Sequence, residues 1–293
     1  MREHLQQLRT ITDSRNACVR AIVTAVLATC FLTACGSKSS APTQPIKQTV
    51  PTDPVVPLPS LPTGADVLAS ASFDDDTYGA LIDDTPGHNS IIDDPTGGGH
   101  GKILNINYST SSDASDADLN QYVSFQPDTG LGAASSVFFR GYVEFPPNTN
   151  LSNGDVLRKL TYWRTDRPQN TQCDFVLFMF GNTMGVSVAR PTHTTTAYSV
   201  YAFTPGQWYL LEIQATMNSK PGSSDGIVRV WVNNALVYQK TNESFTEPTD
   251  PPTTRWYWLT AGHQREGASG ETSINENRYW DQIAFTTKRI GSF

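Results

Sequence analysis

The sequence has almost no cysteine that a folded domain could use. Of four cysteines in 293 residues, Cys18, Cys30 and Cys35 fall within the first 35 positions, so Cys173 stands alone downstream and no intramolecular disulfide can form there. A lone thiol of this kind is expected to be a small buried hydrophobe. Long apolar runs are also missing. Residues 21–33 form a run of thirteen, short of the roughly twenty that a membrane-spanning helix needs. Basic charge is scarce, with 21 Lys and Arg against 28 Asp and Glu, and a net charge of −7 argues against a nucleic-acid partner. After residue 65 no stretch keeps apolar residues at helical spacing. His-Glu-x-x-His is absent, and the one Gly-x-Ser-x-Gly match, Gly222-Ser223-Ser224-Asp225-Gly226, falls in a polar turn between two strand patterns and not in a strand-to-helix elbow, which disfavours hydrolases of those types. Residues 97–101, Gly-Gly-Gly-His-Gly, lead into a strand pattern and lack the helix N-terminus that phosphate loops use.

What is present divides the chain in three. Residues 1–35 read as a secretion signal: Arg2, Arg9, Arg15 and Arg20 precede the apolar run, and Leu32-Thr33-Ala34-Cys35 closes it. That closing tetrad, followed by Gly36-Ser37, resembles the lipobox of bacterial lipoproteins. The resemblance implies lipidation of Cys35 and, with no Asp following it, an outer-membrane location at the cell surface or periplasmic face. Residues 36–63 carry Pro42, Pro45, Pro51, Pro54, Pro57, Pro59 and Pro62 among Ser and Thr, which excludes helix and central strand and makes this segment a tether.

Residues 64–293 show short alternating segments separated by turn residues. Thirteen strands are expected, beginning at residues 67–73 and ending at 279–286, and they predict one all-β domain: a two-sheet antiparallel β-sandwich. Residues 206–242 show the pattern best. Tyr209, Leu211, Ile213 and Ala215 alternate with Trp208, Leu210, Glu212, Gln214 and Thr216, and Asn233-Asn234 supplies residues that tolerate the positive φ of a tight hairpin turn. The same alternation sets Arg140, Tyr142 and Glu144 against Phe139, Val143 and Phe145, and Arg229 with Trp231 against Val228, Val230 and Val232.

Several motifs together resemble the concanavalin A-like jelly-roll superfamily, and within it bacterial proteins related to heparin-lyase and alginate-lyase type polysaccharide lyases. They are Phe138-Phe139-Arg140-Gly141-Tyr142, Leu157-Arg158-Lys159-Leu160, Trp208 with Glu212 and Asn218, Asp225-Gly226 before Val230-Trp231-Val232-Asn233, and Tyr279-Trp280-Asp281 with Lys288-Arg289-Ile290-Gly291. In such folds sugar chains lie along one concave sheet. The resemblance therefore implies a groove holding Arg140, Tyr142, Lys159, Trp163, Glu212, Gln214, Arg229 and Trp231, with guanidinium groups for carboxylates and indoles for pyranose rings. The same residues also fit ordinary exposed strand positions paired across both outer surfaces.

A β-eliminating lyase must neutralise a uronate carboxylate, remove the C5 proton and protonate the leaving oxygen. Candidates for these catalytic tasks are Arg140, Tyr142, Lys159, Gln214 and His263, with Trp163, Glu212, Arg229 and Trp231 as substrate-binding residues. His193 and His263 each also fit a plain loop position. The Arg-Ser-Glu-Leu-Arg and Gln-Ile-His signatures of alginate lyases are absent, as is the paired-carboxylate strand of retaining glucanases. No cofactor is required. The resemblance also implies a structural calcium, with Asp74 and Asp281 as its metal ligands; a solvated acidic rim is the alternative reading of these residues. The expected partners are an acidic polysaccharide and, through the lipid, a membrane, with the chain itself a monomer. A non-catalytic carbohydrate-binding lipoprotein and a structural cell-envelope module are the alternatives.

Overall fold

The computed structural model describes residues 61, 63–109, 118–127, 131, 135–152, 156–167, 172–266 and 275–290. The signal, Cys35 and nearly all of the proline-rich tether lie outside them. Among the described residues there are seventeen strands: β1 (Val67–Ala71), β2 (Ile82–Asp83), β3 (Asn89–Asp93), β4 (Lys102–Ser109), β5 (Asp118–Asn120), β6 (Val123–Phe125), β7 (Ser136–Glu144), β8 (Leu157–Thr165), β9 (Asp174–Phe180), β10 (Thr183–Ala189), β11 (Thr194–Ala202), β12 (Trp208–Thr216), β13 (Gly226–Val232), β14 (Ala235–Glu243), β15 (Trp256–Ala261), β16 (Gln264–Glu266) and β17 (Asn275–Thr286). Among the described residues there is no helix, and hence none long and apolar enough to cross a membrane.

The strands form two antiparallel sheets packed as a sandwich. The eight-stranded sheet runs β14-β13-β12-β7-β17-β4-β3, with β1 also on β17. The nine-stranded sheet runs β11-β10-β9-β8-β15-β6-β2, with β16 alongside β8 and β5. Alternation explains the layering. Tyr209, Leu211, Ile213 and Ala215 of β12, Phe139 and Val143 of β7, and Val228, Val230 and Val232 of β13 enter one core with Phe175, Leu177 and Met179 of β9. Asn233 and Asn234 hold φ of 49° and 67°, so the β13–β14 reversal is the primed turn that its residues predict. Cys173 is buried, and burial pushes its thiol well above the ordinary range.

One strand departs from simple alternation. In β8, Lys159 faces Phe178 of β9, whereas Thr161 faces Leu177, so an extra residue bulges between them. The bulge inverts the faces that follow. Trp163 is expected in the groove but is 0% exposed in the inter-sheet core against Phe175, Trp256 and Phe285. Truncating a side chain so placed would cost about 3–5 kcal/mol.

A polar cluster also bridges the sheets. Glu276 of β17 accepts from Arg158 of β8 (Nη2–Oε2, 2.8 Å), Arg265 of β16 (Nε–Oε2, 2.9 Å) and its strand neighbour Arg278 (Nε–Oε1, 3.2 Å). Burial pushes this carboxyl up, but Arg278, Arg158 and Arg265 outweigh it and hold it down at about 2.

Candidate functional site

The residues that β8 turns outward after its bulge are Tyr162 and Arg164, on the same face as Lys159. They meet Val176 and Phe178 of β9 and Trp258 of β15, an apolar and aromatic surface separate from the main core. His263 reaches this face because the strand breaks beside it. β15 pairs with β8 through Leu259–Trp163, pairing stops, and β16 resumes it at Gln264–Lys159. Gly262 makes the break, with φ of 66°; a Cβ there would lie 2.5 Å from Ile106 Cδ1. Thr260 Oγ1 fills the gap in the ladder by accepting from Tyr162 N at 2.9 Å and donating to Tyr162 O at 3.1 Å.

His263 is 7% exposed and enclosed by three rings. Tyr162 lies 4.5 Å away between centroids, Tyr122 stacks on the imidazole at 5.2 Å and 8°, and Trp258 meets it edge-on at 5.5 Å. Its Nδ1 is buried with no hydrogen-bond partner. Burial first, then the positive charges of Lys159, Arg164 and Arg278, push its pKa well below the usual histidine range, so the ring is neutral at physiological pH.

The other polar groups form a chain across β8 and β9. Tyr162 Oη donates to Asp174 Oδ2 and accepts from Arg164 Nη2 at 3.0 Å. Burial, and then the Asp174 carboxylate, push the Tyr162 hydroxyl up, so it stays protonated. Burial likewise raises Asp174, against the opposing effects of Tyr162, Arg164 and Lys159. The Arg164 guanidinium lies 4.5 Å from the Tyr162 ring and 4.9 Å from the Trp258 ring, and Lys159 Nζ lies 5.2 Å from the Tyr162 ring. Behind the face, Arg278 donates to the carbonyls of Lys159 and Gln264, both at 3.1 Å, and so fixes two backbone segments of the site. Past Arg164 and Trp258 a cleft of about 690 Å³ opens, lined also by Arg167, Arg255, Gln172 and Tyr257. A neutral imidazole beside cations and flat rings can accept a proton next to a bound anion.

Of the sequence-predicted catalytic residues, Lys159 and His263 come together here. Arg140, Tyr142 and Gln214 do not join them. With Glu212, Arg229 and Trp231 they occupy the outer face of the eight-stranded sheet, on the far side of the core. That face is internally paired: Arg140 is in register with Glu212, Arg229 Nη1 donates to Gln214 Oε1 at 3.0 Å, and Arg289 Nη2 donates to Glu212 Oε2 at 2.7 Å while lying 4.1 Å over Trp231. A single groove holding all these residues is therefore corrected to two opposed faces. Asp281 accepts from His100 Nδ1 (2.8 Å, for the tautomer protonated there) and from Gln282 N, and Asp74 Oδ1 accepts from Lys102 N at 3.2 Å. Among the described residues no group of three or more His, Cys, Asp or Glu is arranged to hold a metal. His193 is exposed in the β10–β11 turn.

Tyr162, Arg164, Asp174, Tyr122 and Trp258 were not expected in the site. Strict alternation along β8 points Tyr162 and Arg164 away from Lys159, and no residue pattern marks the bulge that brings them back. The available signal was Gly262-His263, a glycine interrupting an apolar strand immediately before a histidine.

No protein-family model matches the chain, and no curated protein does. Solved structures do. An endo-β-1,4-glucuronan lyase from the fungus Trichoderma reesei superposes with a TM-score of 0.56 at 12% identity, over 71% of this chain and 90% of that one. The alginate lyase vAL-1 from Chlorella virus gives 0.56 at 11%, over 76% and 100%, and the PL-14 alginate lyase from Aplysia kurodai gives 0.54 at 12%, over 69% and 87%. The chain therefore has the jelly-roll sandwich fold of these polysaccharide lyases.

Proposed function

We propose that the protein is a polysaccharide lyase that cleaves a uronate-containing glycan by β-elimination on the outer face of the nine-stranded sheet. The observation carrying this reading is the convergence of neutral His263 with Lys159, Arg164 and Tyr162 on an aromatic surface. Arg164 neutralises the uronate carboxylate, which acidifies C5. His263 takes the C5 proton, and the electron pair left behind forms the C4–C5 double bond as the bond to the O4 leaving oxygen breaks. Lys159 protonates that oxygen, and solvent restores both groups. Tyr162, with its hydroxyl committed to Asp174, serves as a platform and not as the base. The solved lyases that share the fold support this substrate class. Lipidation at Cys35 would tether the domain to the outer membrane through residues 36–63.

The test is to incubate the full-length protein with a panel of uronate polymers and follow the ultraviolet absorbance of the conjugated double bond. Activity that falls by at least about a hundredfold in His263→Ala, with retention on glycan-containing native gels preserved, is the expected result. Wild-type activity in His263→Ala overturns the assignment of the base. Retention with no absorbance change for the wild type overturns the lyase and leaves a non-catalytic glycan-binding protein.

A further inference from the structure

The aromatic surface around Tyr162 continues to the free edge of the sheet, where it ends in an unusual arrangement. Across β10 and β11, Met184 faces Tyr201 and Val186 faces Ala197, so Tyr198, Ser199 and Val200 together oppose Gly185 alone. Ser199 holds a φ of 58°, a conformation that a residue with a side chain adopts at a cost. Phe178 of β9, in register with Gly185, lays its ring over that glycine. A Cβ at Gly185 would lie 2.4 Å from Phe178 Cζ and 2.8 Å from the Ala197 carbonyl oxygen. Only glycine leaves this space. The ring thereby reaches Tyr198 at 5.7 Å, edge to face, and Phe180 flanks it at 5.6 Å. Tyr198 is itself 62% exposed, the most exposed of the large apolar side chains described.

A bulge by itself disrupts pairing at a sheet edge. It does not call for an aromatic ring propped outward on a second ring that a glycine admits. β11, Thr194–Ala202, carries no charge, so the feature offered there is the flat ring, and a flat ring exposed beside a polar backbone suits the apolar face of a pyranose. We infer that Tyr198, supported by Phe178, is a distal sugar-stacking subsite. It takes a pyranose of the same acidic chain in line with Lys159 and three strand spacings from it, or about 14 Å at about 4.8 Å per strand. This rests on the reading that the face binds a uronate glycan, and it adds that the bound chain runs across the strands toward β11.

The experiment compares full-length wild type, Tyr198→Ala and Tyr198→Phe, by retention on native gels containing each uronate polymer and by kinetics on polymer and on trisaccharide. Tyr198 is largely exposed, so both variants are expected to fold. Tyr198→Ala is expected to weaken retention and raise KM for polymer by about three- to tenfold, with kcat and trisaccharide cleavage unchanged, while Tyr198→Phe keeps the wild-type values. Retention of Tyr198→Ala equal to wild type, an equal loss in Tyr198→Phe, or no retention of the wild type on any polymer overturns the subsite. Loss of retention in Tyr198→Ala, rescued by Phe, with no double bond formed by any variant, upholds the subsite while overturning the lyase.

Discussion

The rings of Tyr162 and His263 pack 4.5 Å apart at 32°, and this contact, with Tyr122 and Trp258 on the other sides, strips water from the imidazole. Burial is the first cause of the lowered His263 pKa and Lys159 the second. Both disfavour the protonated ring. Lys159→Met removes the second cause and preserves much of the first, so the His263 titration is expected to move up toward the ordinary histidine range. Proton NMR of the ring signals across an acid titration measures it. A midpoint unchanged or lower than in the wild type would contradict the placement of Lys159 beside the ring.

Gly262→Ala tests how the strand break delivers His263. The new methyl meets Ile106 Cδ1 in the core, and the positive φ adds strain, so a loss of about 2–4 kcal/mol is expected in denaturant unfolding. Glycan cleavage is expected to fall further than the folded fraction does. A variant as stable and active as the wild type would show that the backbone there does not set the imidazole.

Much of the sandwich was legible because period two is a local signal. Tyr209 to Ala215 and Val228 to Val232 sort themselves by side chain alone, and Asn233-Asn234 declares its turn. The site was less legible. The bulge between Lys159 and Thr161 depends on how β8 pairs with β9, and it moves Trp163 inward and Tyr162 outward without any mark in the sequence. The division of Arg140, Glu212 and Arg229 from Lys159 and His263 has a similar origin. Alternation tells which residues leave the core, but not which of two sheets carries a given strand, and that is fixed by pairings remote in sequence.

Glu276→Gln leaves Arg158, Arg265 and Arg278 with a neutral amide in place of the carboxylate they share. Breaking a buried ion pair from one side costs about 3–5 kcal/mol. The folded Glu276 pKa of about 2 lies below the ordinary 4.5, so its stabilising contribution is present above pH 4.5 and disappears as pH falls toward 2. The variant is therefore expected to be destabilised at pH 7 and to approach the wild type near pH 2. Adding Arg158→Met should recover part of the loss at pH 7. Chemical denaturation at the two pH values reads both effects, and an equal deficit at both would contradict the cluster.

Glu144 is predicted to behave in the opposite sense. It is 0% exposed, between Trp208 and Tyr279 in the strand register, with both carboxylate oxygens buried. Burial outweighs the opposing effect of the Thr96 side chain and, with the Asp94 carboxylate adding to it, raises its pKa from 4.5 to about 7. The folded state thus favours the protonated acid. That preference costs nothing below pH 4.5, and the destabilisation grows as pH rises toward 7, reaching at most about 3 kcal/mol above it. Glu144→Gln keeps the shape and removes the ionisation. It should leave the melting temperature near the wild-type value at pH 4 and raise it by several degrees at pH 8. Because Glu144 lies on the sheet opposite His263, glycan cleavage by this variant is expected to match the wild type at 25 °C. A melting temperature unchanged at pH 8 would mean that water or a cation already satisfies the buried carboxylate.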